Sequence, residues 1–399
     1  QRASLVILNG TEKGIDPFLD YTNVVSRFRE EFPELPVLLY DWLQQDYHTG
    51  PGGRVGGISY EFLKGKAEWQ LRTPGGEPIP GRTLHMDVTN PEYRAYHVKH
   101  VTGNVNRFGT AGVAFDTTLA SLARPSRDPA GMFLNGAELG RRWTAASGSL
   151  LGEVKRSLGN DRIVLFNGLF NNNGGWPNRL TQQAQLLPHV DAAAVEFFGR
   201  NVHAPEGKVH EIADFGEFVW DYVELLPRHA DTIIPVFGRS PRYVYMDYEE
   251  DYRIQRYCLV GYLLAMTPLS TFKYHSHFQT NYYPPGRTYG ISYYADYDLD
   301  LGAPLGPASR HGGICQRSFE KAVVAIAPLL GRGGEVQLNR PCYTPAGEPR
   351  DGTVRLEPGT AGVFLFSKPP PSPERVVVDD FEDGAPGMWR QAVRDDKVT

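Results

Sequence analysis

The 399-residue chain has little sulfur: three cysteines and five methionines. Cys315 and Cys342 could pair, but Cys258 lies in a helical pattern and would be left over. There is no disulfide framework, no C-x-x-C and no Cys/His cluster of the kind that binds zinc. No run approaches the ~18 apolar residues of a membrane-spanning helix, so no span is expected. Blocks of Lys and Arg are also missing. With 41 basic against 46 acidic residues the net charge is −5, which argues against nucleic-acid and anionic-membrane partners. The sequence has no G-x-S-x-G elbow, H-E-x-x-H pair or Walker motif. "GPGGRVGG" (50–57) lacks G-x-G-x-x-G spacing and follows no strand-to-helix turn, so neither a nucleotide cofactor nor any other is expected. No signal sequence is evident, and an opening on Gln1 fits a mature or trimmed form.

What is present is an ordinary globular composition, 41% hydrophobic and 22% charged, with 21 Tyr and 6 Trp, many of them in polar segments. Short apolar runs alternate with longer amphipathic stretches. Strands are expected at 4–9, 36–41, 83–87, 111–116, 162–167, 192–197, 232–237 and 270–275. Helices are expected at 17–32, 91–107, 136–158, 178–188, 214–227 and 247–266. Eight strands, nearly all followed by a helix, fit a (β/α)8 TIM barrel, with an open doubly wound sheet as the alternative. The weakest unit is the glycine-rich excursion between the second and third strands. Beyond residue 280 the pattern changes to a tyrosine-rich loop and short strands, which reads as a small antiparallel β domain. The expected domains are therefore a barrel over 1–280 and a β domain over 281–368. Over 369–399 a proline-rich linker, "PPPSPE", is expected to lead into the start of a further β domain, of carbohydrate-binding type.

A barrel gathers its active site at the carboxyl ends of its strands. Those ends deliver Asn9, Asp41, Asp87, Asp116, Asn167, Glu196, Phe237 with Arg239 nearby, and His275. Asp116 and Glu196 each directly end an apolar run. Burial there would raise a carboxyl pKa, and mutual charge would push two such groups apart. Glycoside hydrolysis needs that division: one carboxylate as nucleophile or base, and one protonated acid. The plainer roles are a cap for Asp116 and an ion pair with Arg200 or Arg239 for Glu196. Asp41 and Asp87 are candidate ligands for sugar hydroxyls, or else caps and ion-pair partners. "NGLFNNNGGWPN" (167–178) offers amides and the indole face of Trp176 to a pyranose. His275 and His277 share a strand face at metal-compatible spacing without a third ligand, so a sugar contact from His275 or Tyr274 is favoured over a metal, and a core histidine over both.

Residues 69–101, "WQLRTPGGEPIPGRTLHMDVTNPEYRAYHVKHV", carry a D-x-T-N-P-E-x-R motif at Asp87–Arg94, followed by G-V-x-x-D at Gly112–Asp116. Together they resemble the segment before the fourth strand in bacterial glycoside hydrolases of the glycoside-hydrolase-like barrel families. "QRSFEKAVVAIAP" and "VQLNRP" are similar to the β unit that follows such barrels, whose pattern is R-x-F-x-x-G-x-V-x-x-N-P. Here Ala322 replaces the glycine, and Arg340 separates Asn339 from the proline. The resemblance covers most of residues 1–367 and implies carbohydrate hydrolysis with acids on the fourth and sixth strands, where Asp116 and Glu196 stand. Related α-galactosidase-like barrels use the same strands for nucleophile and acid/base. The expectation is thus a glycoside hydrolase acting on a poly- or oligosaccharide in an extracellular or periplasmic setting. Asp116 and Glu196 would be catalytic, and Asp41, Asp87, Asn167, Trp176, Arg239 and His275 would line the subsites. The alternatives are a non-catalytic carbohydrate-binding barrel and a glycan transferase on the same fold. Protein partners are unknown from sequence.

Overall fold

The computed structural model describes residues 6–8, 21–43, 45–46, 54–55, 58–72, 76–77, 84–116, 118, 136–169, 179–198, 215–239, 248–275, 294–328, 332–370, 375–378 and 390–393. Trp176, Asn9 and His277 lie outside them. Two compact units are formed, one from residues 1–198, 225–237 and 267–272, the other from 199–224, 238–266 and 273–399.

Strand β1 (Val6–Leu8) is followed by helix α1 (Tyr21–Glu31) and β2 (Val37–Trp42). Two short antiparallel pairings come from β3 (Gln45–Asp46) with β6 (Leu84–His85) and β4 (Arg54–Val55) with β5 (Ile58–Ser59), with α2 (Tyr60–Lys64) between β5 and β6. Then come α3 (Pro91–Phe108), β7 (Gly112–Asp116), α4 (Gly136–Leu158), β8 (Ile163–Asn167), α5 (Arg179–Ala184), β9 (Ala192–Phe198), α6 (Phe215–Leu225), β10 (Ile234–Arg239), α7 (Tyr248–Ala265) and β11 (Ser270–His275). A curled seven-stranded sheet results, in the order β1-β2-β7-β8-β9-β10-β11, with parallel pairing from β1 through β9. It is the expected α/β-barrel class, followed by an antiparallel β domain.

The expected third strand is corrected. Residues 84–87 do not enter this sheet, and β2 lies directly beside β7. The reason is where the backbone bonds go. His85 accepts from the Leu71 amide at 2.7 Å, the Asp87 amide donates to Trp69 at 2.8 Å, and Met86 bridges Gln70. These groups are already satisfied within the excursion, so the segment has no ladder to offer the barrel.

Main-sheet strands are apolar on both faces, the signature of parallel strands covered on both sides. Val113, Phe115, Val164 and Phe166 are fully buried, and each such side chain contributes about 1.5–3 kcal/mol. One face packs Leu38, Ala114, Leu165, Ala192 and Ala194 together. Gly112 has a specific steric reason: a Cβ there would lie 1.9 Å from the carbonyl oxygen of Ile163.

The D-x-T-N-P-E-x-R motif builds the start of α3. Asp87 Oδ1 accepts from the Thr89 amide at 2.8 Å and its hydroxyl at 2.6 Å. Asn90 caps the helix by accepting from the amides of Glu92 and Tyr93 at 2.9 and 3.1 Å, and Pro91 occupies the first turn. Arg94 pairs with Glu153 on α4. Gly109, at φ 68°, ends the helix in the left-handed conformation.

In the second unit, β12 (Ser309–His311), β13 (Ile314–Ser318), β14 (Ala322–Ala327), β15 (Gly334–Tyr343), β16 (Pro349–Leu356) and β17 (Thr360–Leu365) form an antiparallel sheet ordered β12-β13-β14-β17-β15-β16. α7 packs against β13, β14 and β17. Cys258, Cys315 and Cys342 are all buried, and none forms a disulfide among the described residues. β18 (Arg375–Val378) and β19 (Arg390–Val393) pair antiparallel as a separate hairpin. Among the described residues no helix is long and apolar enough to cross a membrane.

Candidate active site

Register decides which strand-end side chains meet. Trp42 pairs with Asp116, and Asp41 with Phe115. Phe115 pairs with Phe166, so Asp116 and Asn167 fall on one row, while Asn167 pairs with Ala194. Side chains two apart share a face. Tyr40, Trp42, Asp116, Asn167 and Glu196 therefore sit on the sheet face that also carries Leu38, Ala114, Leu165 and Ala194.

Asn167 joins the two carboxylates. Its Nδ2 donates to Asp116 Oδ1 at 2.8 Å and to Glu196 Oε2 at 2.6 Å, using both hydrogens of one amide. These two oxygens can be no further apart than the two bonds laid end to end. The second Asp116 oxygen, Oδ2, accepts from the Tyr40 hydroxyl at 2.5 Å. The Tyr40 oxygen in turn accepts from Trp42 Nε1 at 2.5 Å. Asp116, Asn167, Glu196 and Tyr40 are all half-buried, whereas Trp42 is buried. Burial, reinforced by the Asp116 charge, pushes the Tyr40 hydroxyl far above its ordinary range, so it stays a neutral donor.

Other candidates lie apart from this cluster. Asp41 belongs to the opposite sheet face, 1% exposed, with Oδ1 accepting from the Trp42 amide at 2.7 Å. Burial pushes its carboxyl up to about 7 against the opposing pull of that amide. Asp87 is engaged in the turn that starts α3. Arg239 and His275 are the last residues of β10 and β11, with side chains outside the described atoms, as is the whole of Trp176. The search for ionisable strand ends passes over Tyr40 and Trp42. "PVLLYDW" is apolar on both faces, so alternation within it does not say which parity meets Asp116. Only the register to β7 does. No group of three or more His, Cys, Asp or Glu suited to a metal occurs among the described residues.

Chemically, the arrangement is a pair of carboxylates within a few ångströms of each other, held by one neutral amide. One of them is hydrogen-bonded through both oxygens. Such a pair can divide into an anion and an acid, because two adjacent carboxylates resist ionising together.

Solved structures with a similar fold include the glycoside hydrolase domain of PelA from Pseudomonas aeruginosa, 15% identical over 69% of this chain and 94% of that one, with a TM-score of 0.44. An α-amylase from Geobacillus thermoleovorans is 13% identical over 88% of this chain and 82% of its own, with a TM-score of 0.43. A pullulanase from Anoxybacillus sp. LM18-11 is 11% identical over 88% and 56%, with a TM-score of 0.47. At these values the likenesses bear on neither substrate nor catalytic residues. No curated protein matches the chain. Residues 30–323, well over half of the chain, match the model of hypothetical glycosyl hydrolase family 15, and the chain belongs to that family.

Proposed function

We propose that the protein is a retaining glycoside hydrolase acting on a poly- or oligosaccharide, with Asp116 as nucleophile and Glu196 as general acid/base. The observation that carries this reading is the single Asn167 amide bonded to both carboxylates. The two bonds end to end set an upper limit on the separation of those oxygens that falls short of the ~6.5–9.5 Å that leaves room for an inverting water, which favours the closer spacing of about 5–5.5 Å used for double displacement. Membership of a glycosyl-hydrolase-like family supports the substrate class.

In the first step Asp116 attacks the anomeric carbon while the bond to the leaving oxygen breaks, and Glu196 gives that oxygen its proton. In the second, Glu196 removes a proton from water, the water oxygen bonds the anomeric carbon, and the ester to Asp116 breaks. Asn167 keeps both carboxylates in place through the change in their charges. Trp176, Arg239 and His275 are proposed to line the subsites from the loops and strand ends that carry them, outside the cytoplasm where polymeric glycans are met.

The test is incubation with a panel of bacterial and plant polysaccharides, read by mass spectrometry, beside an Asp116→Asn/Glu196→Gln variant checked for folding by circular dichroism. Oligosaccharide release by the wild type alone supports the reading, and proton NMR of the first product then gives its anomeric configuration. Equal release by both proteins would exclude these carboxylates. Longer products would indicate transfer, and glycan binding without cleavage would identify a non-catalytic barrel.

A further inference from the structure

The hydrogen bonds around Asp116 have a direction that residue types alone enforce. An indole N–H can only donate. The Tyr40 oxygen must therefore be the acceptor in its 2.5 Å bond with Trp42 Nε1. A phenol has one hydrogen, and the bond at 2.5 Å to Asp116 Oδ2 uses it. From the other side Asn167 Nδ2 is also a donor, to Oδ1. Both oxygens of Asp116 thus receive hydrogens, an arrangement that suits a carboxylate, which is acceptor-only, better than a carboxylic acid, which must also place its own hydrogen. Glu196 accepts from the same Asn167 nitrogen, through Oε2.

We infer that Trp42 and Tyr40 are positioning residues that act through Asp116, forming a one-way donor chain that orients it as the nucleophilic member of the pair and leaves the proton-carrying role to Glu196. The inference rests on the proposed hydrolase reading for its kinetic consequence but not for the chain itself. The two rings meet edge to face, with centroids 6.4 Å apart at 64°. Tyr40→Phe would delete one hydroxyl and keep that packing.

The first arm needs no substrate. With tryptophan indoles labelled with 15N and the Trp42 signal assigned by Trp42→Phe, the indole resonance is expected to move in Tyr40→Phe and, through the altered hydroxyl, also in Asp116→Asn. An unmoved Trp42 signal in Tyr40→Phe would overturn the chain, whatever the enzyme does. The second arm uses whichever polysaccharide of the panel is cleaved. Tyr40→Phe is expected to lower kcat about 10- to 100-fold, the worth of one hydrogen bond to a charged group, with KM little changed. The acidic limb of its kcat/KM profile should move to higher pH while the alkaline limb stays. Trp42→Phe should act in the same direction more weakly. Unchanged kcat and an unmoved acidic limb in Tyr40→Phe would remove the positioning role. Silence across the panel with a responsive Trp42 signal would overturn the hydrolase reading and leave the donor chain standing.

Discussion

Asp41 and Asp116 end neighbouring strands of one sheet yet belong to its opposite faces. Asp41 pairs with Phe115, one residue short of Asp116, and strand alternation does the rest. Asp116 is bonded through both oxygens, whereas Asp41 is buried with Oδ2 lacking a hydrogen-bond partner among the described residues. Two carboxylates that look alike in sequence therefore stand in different hydrogen-bonding surroundings.

The pH dependence of stability should expose Asp41. Its folded value, about 7, lies above the ordinary 3.8 because of burial, so its protonated form favours folding and that contribution is lost as pH rises toward 7. His97 works in reverse. Burial, and then the charge of His100, hold it at about 3 against an ordinary 6.5. It contributes stability above 6.5 that is lost as pH falls. Between about 4 and 6.5 the two slopes oppose each other, each at most roughly 1.4 kcal/mol per pH unit. Urea titrations should show Asp41→Asn gaining stability relative to wild type as pH rises through this window, and His97→Gln gaining as pH falls. A constant difference for either variant would mean that its group titrates normally.

Arg317, the arginine of the R-x-F pattern, closes the end of α7. Its Nη1 donates to the carbonyls of Leu263, Leu264 and Met266 at 3.1, 3.3 and 3.1 Å, and its Nε to Gly306 at 2.9 Å. The last turn of α7 contains no basic residue, so β13 supplies the cation that its orphan carbonyls favour. Arg317→Lys cannot reproduce the fork. We expect it to cost about 1.5–3 kcal/mol, and Arg317→Ala more. Thermal denaturation would measure the loss, and hydrogen exchange should speed up selectively near residues 262–266.

Gly112→Ala should be severe. The added methyl would meet the Ile163 carbonyl oxygen at 1.9 Å, in backbone that also pairs β7 with β8. No rotamer relieves a backbone clash, so β7 or β8 must move and the row holding Asp116 and Asn167 moves with it. A loss on the order of 4 kcal/mol is expected, read as soluble yield and urea midpoint. Wild-type stability in this variant would contradict the described packing of the two strands.

The sequence made the strands legible where both faces are buried and apolar runs are short, as at Val113–Phe115 and Val164–Phe166. It made α3 legible through Asn90 and Pro91 at its start. It could not exclude residues 83–87 from the barrel, because "TLHMD" has the composition of a strand and its fate depends on long-range bonds to Trp69 and Leu71. In the site, Asp116, Asn167 and Glu196 were visible because each is a polar residue at or near the end of an apolar run. Tyr40 was not, since its role depends on the register between β2 and β7. Motif matching carries its own lesson. Asp87, Asn90 and Arg94 build the entry to α3, so the D-x-T-N-P-E-x-R pattern marks fold.

Asp296 in the second unit offers a test of buried charge. It is 4% exposed and accepts from Arg256 Nε and the Tyr252 hydroxyl, both at 2.7 Å. The Arg256 guanidinium also lies over the Tyr252 ring, 4.6 Å from its centroid, and that ring stacks on Tyr294 at 5.9 Å. Arg256→Met keeps much of the aliphatic packing but leaves a buried carboxylate without its cation, which typically costs 3–5 kcal/mol. Asp296→Leu strands the guanidinium instead. Removing both charges strands neither, so Arg256→Met/Asp296→Leu should be destabilised by clearly less than the two single variants added together. A double-mutant cycle on urea midpoints measures the coupling. Strict additivity would mean that the pair contributes packing alone, with the charge on Asp296 solvated by Tyr252 and its surroundings as well as by Arg256.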